Sequence, residues 1–475
     1  MRAGRRLVGV ALVIALAFGV GALGTRADQQ PASPGEHWVA TWGTAQTLSR
    51  AGTPGGAPAG RGAAAPASAA TPATAPGAAP AAAAAPPAAP AAIGPSAPGR
   101  RFPVPPTLAG VVDQTLRMTV RTSIGGSRLR VRFANAFAGR SVVIGAARVA
   151  RSTGGSAIDP ATSRHLTFSG ATRTNMYAGQ VLVSDPVDLA VPALGDVAVS
   201  LHIVGDAGAP TEHRFALRNT YLTEAGDFTD APVIANPVRT TESWYWLAGI
   251  DVAAAPQAAA IVTFGDSITD GDQSTHGTNG AWPSILAARL QASAATRHLA
   301  VVNAGISGNR VLGDNTSGIV RIGQDALEQP GVAWITMLEG INDISGATRP
   351  GAPPSSLTAD DLIRAYRQII ERAHARGIRV AGCTITPYGG SSVYSEAGEA
   401  MRQAVNTWIR TGGAFDAVID FDAATRDPRN PTRMRPEADS PDLLHPGDAG
   451  YRLMAEAIDL SLFTARPVVG AGRGR

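Results

Sequence analysis

Lysine is absent from this 475-residue chain, so all 41 of its basic residues are arginines, and they are scattered through both halves. A chain that grips nucleic acid gathers its cations into a stripe or patch interleaved with aromatics, so no nucleic-acid partner is expected. Cysteine is almost absent too: Cys383 stands alone, which excludes an internal disulfide. Charged residues reach only 16% and aromatics 5%, against 54 Gly and 35 Pro, a balance that excludes a coiled coil. After the first thirty positions no run of eighteen apolar residues occurs, which excludes a polytopic membrane protein. No repeat of fixed length recurs over 108–250. No His-Glu-x-x-His motif appears and the eight histidines are widely spaced, so neither metal nor cofactor is expected. What is present is 44% hydrophobic content over a length that suggests two or three domains with ample core.

Arg2, Arg5 and Arg6 precede the apolar stretch Leu7 to Val20, and small residues continue from there to Ala27. That is the layout of a secretory signal peptide over 1–27. The remaining chain is then expected in a periplasm or outside the cell, with no stable membrane span after cleavage. Residues 51–100 are nearly all Ala, Pro and Gly; they have little to bury and read as a disordered or polyproline-like spacer. This tract interrupts a β-rich domain, 36–250, because His37 to Trp42 alternates like a strand and belongs with the strands on the far side of the tract. Leu116, Met118 and Val120 alternate with Arg117, Thr119 and Arg121; Leu129, Val131 and Phe133 do the same after Gly125-Gly126. That pattern predicts a hairpin within an antiparallel sandwich or jelly roll.

From 251 to 465 the rhythm becomes strand–helix alternation, which predicts an α/β domain with a parallel sheet; 466–475 reads as a flexible tail. Strands are expected at 258–264, 299–302, 332–338, 378–386 and 417–421. Helices are expected after Pro283, over 358–376 with Thr358 and Asp361 in capping-box spacing, and from 447. Cys383 falls in one of the strands and reads as a buried thiol rather than a nucleophile.

In open parallel sheets, sites form beyond the carboxyl ends of the strands. Four segments meet that condition: Gly265-Asp266-Ser267-Ile268, Asn303 to Asn309, Glu339-Gly340-Ile341-Asn342-Asp343, and Asp442-Leu443-Leu444-His445. A serine hydroxyl needs a base to become nucleophilic, and a neutral imidazole is the best base near pH 7. Asp442, three residues before His445, suits the other ring nitrogen. Attack on a carbonyl develops an oxyanion, for which the amides of Ser267 and Gly308 and the side chain of Asn342 are natural donors. Gly305 is the rival to Gly308.

This ordered set resembles the SGNH (GDSL-type) serine esterases and lipases. The resemblance covers roughly 258–465, with Ile268 where the family name has leucine. It implies a flavodoxin-like three-layer fold, Ser267 as nucleophile and first oxyanion donor, Gly308 and Asn342 as the other donors, His445 as base and Asp442 as its partner. The region 36–250 resembles the β-rich N-terminal part of some secreted bacterial members, two-domain carbohydrate esterases among them. No Gly-x-Ser-x-Gly elbow surrounds Ser267, which counts against an α/β-hydrolase.

The expected activity is hydrolysis of a small-molecule or glycan ester, with short acyl groups such as O-acetyl on carbohydrate favoured. A lipase or lysophospholipase, an acyltransferase, and an inactive hydrolase domain serving as a glycan-binding surface protein are the alternatives. Trp282, Glu339 and Asp343 read as supports of the site, His276 as an exposed loop histidine, and Trp244-Tyr245-Trp246 as a buried strand rather than a sugar platform. Oligomeric state stays open.

Overall fold

Residues 35–48 and 108–464 are described by the computed structural model; the expected leader, the 51–100 tract and the 466–475 tail lie outside the described residues. Every strand pair between 38 and 253 is antiparallel. One sheet runs Trp38–Gly43, Leu247–Ala253, Gly126–Ala134, Val187–Val191; a second runs Arg239–Thr241, Thr220–Ala225, Val111–Arg121, Asp196–Gly208, Val142–Gly154. The alternating positions Leu116, Met118, Val120, Leu129, Val131 and Phe133 are all buried, but so are Arg117, Thr119 and Arg132 on the opposite face, where Arg117 bonds Ser200 and Arg132 bonds Asp251.

The hairpin expected at Gly125-Gly126 does not form. Val111–Arg121 and Gly126–Ala134 lie in different sheets, so the connection is a corner between sheets. Thr41 holds that corner: its Oγ1 donates to the Ile124 carbonyl at 2.7 Å, and its own carbonyl accepts from Ser123 N at 2.9 Å. A Cβ on Gly125 would sit 2.7 Å from the Val191 carbonyl, so the glycine marks a close crossing rather than a tight turn.

Beyond 258 the chain forms five parallel strands: β1 (Ala259–Gly265), β2 (Leu299–Gly305), β3 (Val332–Leu338), β4 (Arg379–Cys383) and β5 (Ala417–Ile419), in the order β2-β1-β3-β4-β5. The helices around this sheet include α1 (Ser267–Asp270), α2 (Trp282–Ala292), α3 (Ile341–Thr348), α4 (Ala359–His374), α5 (Glu396–Thr411) and α6 (Asp448–Glu456). Adjacent residues of one strand serve opposite faces. Ile261 packs with α2 and α6 through Leu286, Leu290, Tyr451 and Met454, whereas Ala260 and Val262 share a core with Leu362, Ile369 and Ile370 of α4.

The capping box of α4 is formed in full, with Thr358 Oγ1 taking the Asp361 amide and Asp361 taking the Thr358 amide; Gly377, three residues past His374, stands at φ +71°. Such a cap contributes about 1 kcal/mol. Helix α5 escapes the apolar pattern because its inner face carries Glu399, Arg402 and Asn406 beside Val405 and Ile409. Arg402 is completely buried, pairing with Glu399 and with Asp422 at 2.8 Å.

The antiparallel and parallel parts share one hydrophobic cluster, in which Val39, Ala40 and Trp42 join Ala300 and Val302 of β2. Polar bonds cross the same seam: Ala40 N donates to Pro330 O at 2.9 Å, and Val301 N donates to Ser123 Oγ at 3.0 Å. Among the described residues no helix is long and apolar enough to cross a membrane.

Candidate functional site

Each residue picked from the strand ends lies on the carboxyl edge of the parallel sheet, and the local sequence explains how. Strand β1 ends at Gly265, where a Cβ would stand 2.0 Å from Thr269 Oγ1, so only glycine lets the chain turn this tightly. Asp266 then caps α1 by accepting the Ile268 amide at 3.0 Å. Ser267 is therefore the first residue of a one-turn helix, where backbone amides lack intrahelical acceptors. Gly271, at φ +109°, ends that turn.

His445 Nε2 lies 2.8 Å from Ser267 Oγ, and Nδ1 lies 2.7 Å from Asp442 Oδ2. With Nδ1–H donated to the carboxylate, Nε2 is left to accept from the serine hydroxyl. The second oxygen of Asp442 accepts three further bonds, from Leu444 N, His445 N and Ser440 Oγ, at 2.9–3.0 Å. Leu443 between them adopts φ +58°, a left-handed conformation that costs a non-glycine residue about 1–2 kcal/mol. Burial pulls the His445 pKa down, but the Asp442 bond and the charges of Asp272 and Asp442 outweigh it, and the net shift is upward. Asp272 Oδ2 stands 3.7 Å from His445 Nε2. Burial raises the Asp442 carboxyl, yet the bond and charge of His445 bring it well below the usual carboxylate range.

The loop after β2 supplies Gly308, exposed, at φ +78° and with open space where a Cβ would go. Its neighbours have their amides engaged, Ser307 N by Asp270 Oδ2 at 3.0 Å and Asn309 N by Ile306 O at 3.0 Å. Gly305, the rival position, has a packing role: a Cβ there would lie 2.3 Å from Asp270 N. Asn342, in the first turn of α3, gives one side-chain N–H to Asn309 O at 2.8 Å, which leaves its second N–H to donate elsewhere. Asp343 braces the same loop by accepting Val311 N and Leu312 N at 2.8 and 2.9 Å, and burial pushes its carboxyl up to about 6.

Arg321 is the structural residue that the sequence reading passes over. Its buried guanidinium reaches the carbonyls of Gly265 and Ala304, each at 2.8 Å, together with Asn309 Oδ1, Asp325 and Glu339. One cation thus ties the ends of β1, β2 and β3 together. The available signal was a lone arginine inside the apolar run Ile319-Val320-Arg321-Ile322, where an unpaired charge would not be tolerated.

The remaining candidates are placed away from the serine hydroxyl. Trp282 is buried against Phe421 at a ring distance of 5.2 Å, Glu339 beneath the sheet edge against Arg321, and Trp244-Tyr245-Trp246 in the core. His276, expected to be exposed, is half-buried, with Nε2 3.7 Å from Glu242, because its loop folds back toward the antiparallel part. Cys383 is buried on β4 and burial pushes its thiol up. Among the described residues no group of three or more His, Cys, Asp and Glu is placed to hold a metal ion.

Residues 263–453, which span all of these strand ends, match the GDSL-like Lipase/Acylhydrolase family. The chain carries a GDSL-like hydrolase domain. It is accordingly an ester-bond hydrolase. Solved structures similar to part of the chain include an acetyl xylan esterase (19% identity over 42% of this chain and 96% of that one, TM-score 0.33). An acetyl-xylooligosaccharide esterase variant from Geobacillus shows 24% identity over 43% and 94%, TM-score 0.33. A member of the lipolytic G-D-S-L family from Veillonella parvula shows 22% over 42% and 96%, TM-score 0.31. No curated protein matches the chain. The GDSL-like domain thus takes in Ser267, Gly308, Asn342, Asp442 and His445, while the antiparallel part lies outside the matched segment.

Proposed function

We propose that the GDSL-like domain hydrolyses carboxylic esters through an acyl-enzyme formed on Ser267. The observation that carries this is the unbroken chain Ser267 Oγ–His445–Asp442, with links of 2.8 and 2.7 Å. Ser267 Oγ attacks the ester carbonyl as its proton passes to His445 Nε2, and Asp442 stabilises the imidazolium that forms. The oxyanion is met by the amides of Ser267 and Gly308 and by the free N–H of Asn342. Collapse expels the alcohol, which takes the proton from His445. Water, deprotonated by the same nitrogen, then releases the acid and restores the serine.

A short acyl group on a hydroxyl-rich alcohol, such as O-acetylated carbohydrate, is the substrate class this reading favours. Asp272, whose Oδ2 stands 3.7 Å from His445 Nε2, offers a polar neighbour for the hydroxyls of such an alcohol. Two of the similar structures carry names that describe esterases of acetylated xylan or its oligosaccharides. We assign the parallel sheet to a flavodoxin-like layering, which its β2-β1-β3-β4-β5 order supports, and divide the chain into a β-rich domain, 36–250, and a hydrolase domain, 251–465. The basic-then-apolar N-terminus supports export from the cytoplasm with cleavage near residue 27.

The test is hydrolysis of p-nitrophenyl esters from acetate to palmitate, with Ser267→Ala as the control. Activity peaking at acetate and lost in the variant is expected. A peak at long chains would move the substrate to lipid esters, transfer to an added alcohol in preference to water would make the enzyme an acyltransferase, and activity retained by Ser267→Ala would overturn the mechanism.

A further inference from the structure

A histidine from outside the matched segment is locked against the helix that carries Ser267. His213 lies on the short strand Thr211–Arg214 of the antiparallel part and is buried. Its Nδ1 is 2.8 Å from the Ala45 carbonyl and its Nε2 is 3.1 Å from Asp270 Oδ1. A carbonyl can only accept, so Nδ1 carries a hydrogen, and the contact between Nε2 and the carboxylate then requires one further shared proton. The ring stacks on Trp244 at 5.4 Å, and Trp244 meets Trp42 edge-on at 4.9 Å, which leaves the imidazole little freedom. Burial opposes the charged ring, but Asp270, the Ala45 bond and nearby Glu212 favour it, and the net shift of His213 is upward.

Asp270 is the last residue of α1, three positions after Ser267, and is itself buried. Its second oxygen accepts the Ser307 amide at 3.0 Å, immediately before Gly308. One carboxylate therefore joins three things: the antiparallel part, the nucleophile's helix, and the loop that presents the Gly308 amide.

We propose that His213 is a positioning residue for ester hydrolysis: through Asp270 it fixes the Ser307 amide and hence the Gly308 donor, so that the antiparallel part completes the active site. The proposal rests on the roles of Ser267 and Gly308 in the proposed ester hydrolysis. Its physical basis is what Asp270 becomes without its partner. An isolated buried carboxylate takes up a proton rather than remain charged. A protonated carboxyl has one oxygen converted to a donor and is a weaker acceptor, so the Ser307 amide loses its anchor and the loop drifts.

The experiment uses the full chain with p-nitrophenyl acetate as substrate and a small alkyl boronic acid as a tetrahedral mimic. His213→Leu is expected to lower kcat by about tenfold to a hundredfold, the range that a displaced oxyanion donor produces. KM should stay nearly unchanged, and boronic-acid affinity should fall in parallel with kcat. His213→Gln, which can still give Asp270 one N–H, is expected to recover most of the loss. Ser123→Ala removes a buried bond across the same seam, from Val301 N, and should lower Tm while leaving kcat intact. Amide exchange at Ser307, monitored by NMR or mass spectrometry, should quicken in His213→Leu. A kcat within about threefold of wild type, a loss matched by the fall in titratable Ser267, or an unchanged Ser307 exchange rate would each overturn the proposal. If the wild-type protein hydrolyses no ester, the catalytic reading fails, and the exchange measurement alone decides whether His213 anchors the loop.

Discussion

Replacing Asp442 by asparagine tests the catalytic reading with almost no change of shape. The carboxylate accepts Ser440 Oγ, Leu444 N and His445 N on Oδ1 and the imidazole on Oδ2. Three donors converge on Oδ1, so the new side chain keeps its carbonyl there and turns its NH2 toward His445 Nδ1. Nδ1 must then accept, which moves the ring proton to Nε2, the nitrogen 2.8 Å from Ser267 Oγ. A protonated Nε2 cannot take the serine proton. The expected loss in kcat is about 10⁴-fold, the cost of holding a triad histidine in the wrong tautomer, or roughly 5 kcal/mol of transition-state stabilisation. Steady-state hydrolysis of p-nitrophenyl acetate, normalised by titration of reactive serine, measures it, and Tm should change little because the three Oδ1 bonds survive. A loss of less than about tenfold would refute the reasoning: it would mean that Asp442 does not set the tautomer.

The same geometry sets further outcomes. The base must be neutral and its pKa is raised, so kcat/KM should climb with pH on a limb whose midpoint lies above the ordinary histidine value of 6.5. Asp272→Asn removes a charge that favours the imidazolium, so it should move that midpoint down while largely preserving kcat, as a pH–rate profile would show. Asn342→Ala should lower kcat about a hundredfold with little change in KM, the typical result of losing one oxyanion donor. Arg402→Ala takes the paired guanidinium from buried Glu399, while Asp422 keeps Arg410 and Arg426, and should destabilise the fold by about 3 kcal/mol in denaturant titration. Cys383, buried with its thiol pushed up, should resist iodoacetamide until the protein is unfolded.

Much of the hydrolase half could be read from its residues because local and global demands agree there. The capped α4, the apolar strands and the glycine-punctuated strand ends each meet a requirement set by neighbours in sequence. Where recognition depends on distant partners the sequence offers less. The Gly125-Gly126 pair looks like a hairpin because both flanking segments alternate, but Thr41, far away in the chain, turns it into a corner between sheets. Helix α5 hides its inner face because Arg402 pairs with Glu399, and Asn406 meets the Ile385 backbone, only after folding. His213 and Arg321 are single polar residues whose meaning lies entirely in what other segments bring to them.

The seating of Trp38–Gly43 bears on the order in which the chain can fold as it leaves the ribosome. Gln46, just beyond that strand, gives its amide to the Leu247 carbonyl 201 residues later, and the strand itself pairs with Leu247–Ala253. The first strand among the described residues must therefore wait, unpaired, until more than half of the 475 residues have been synthesised. Closing so long a loop is slow, and during that interval Val39, Ala40 and Trp42 have no native cover. Synthesis rate and chaperone supply, rather than final stability, should thus govern the yield of native enzyme, and slowing translation beyond residue 253 should do little to improve it.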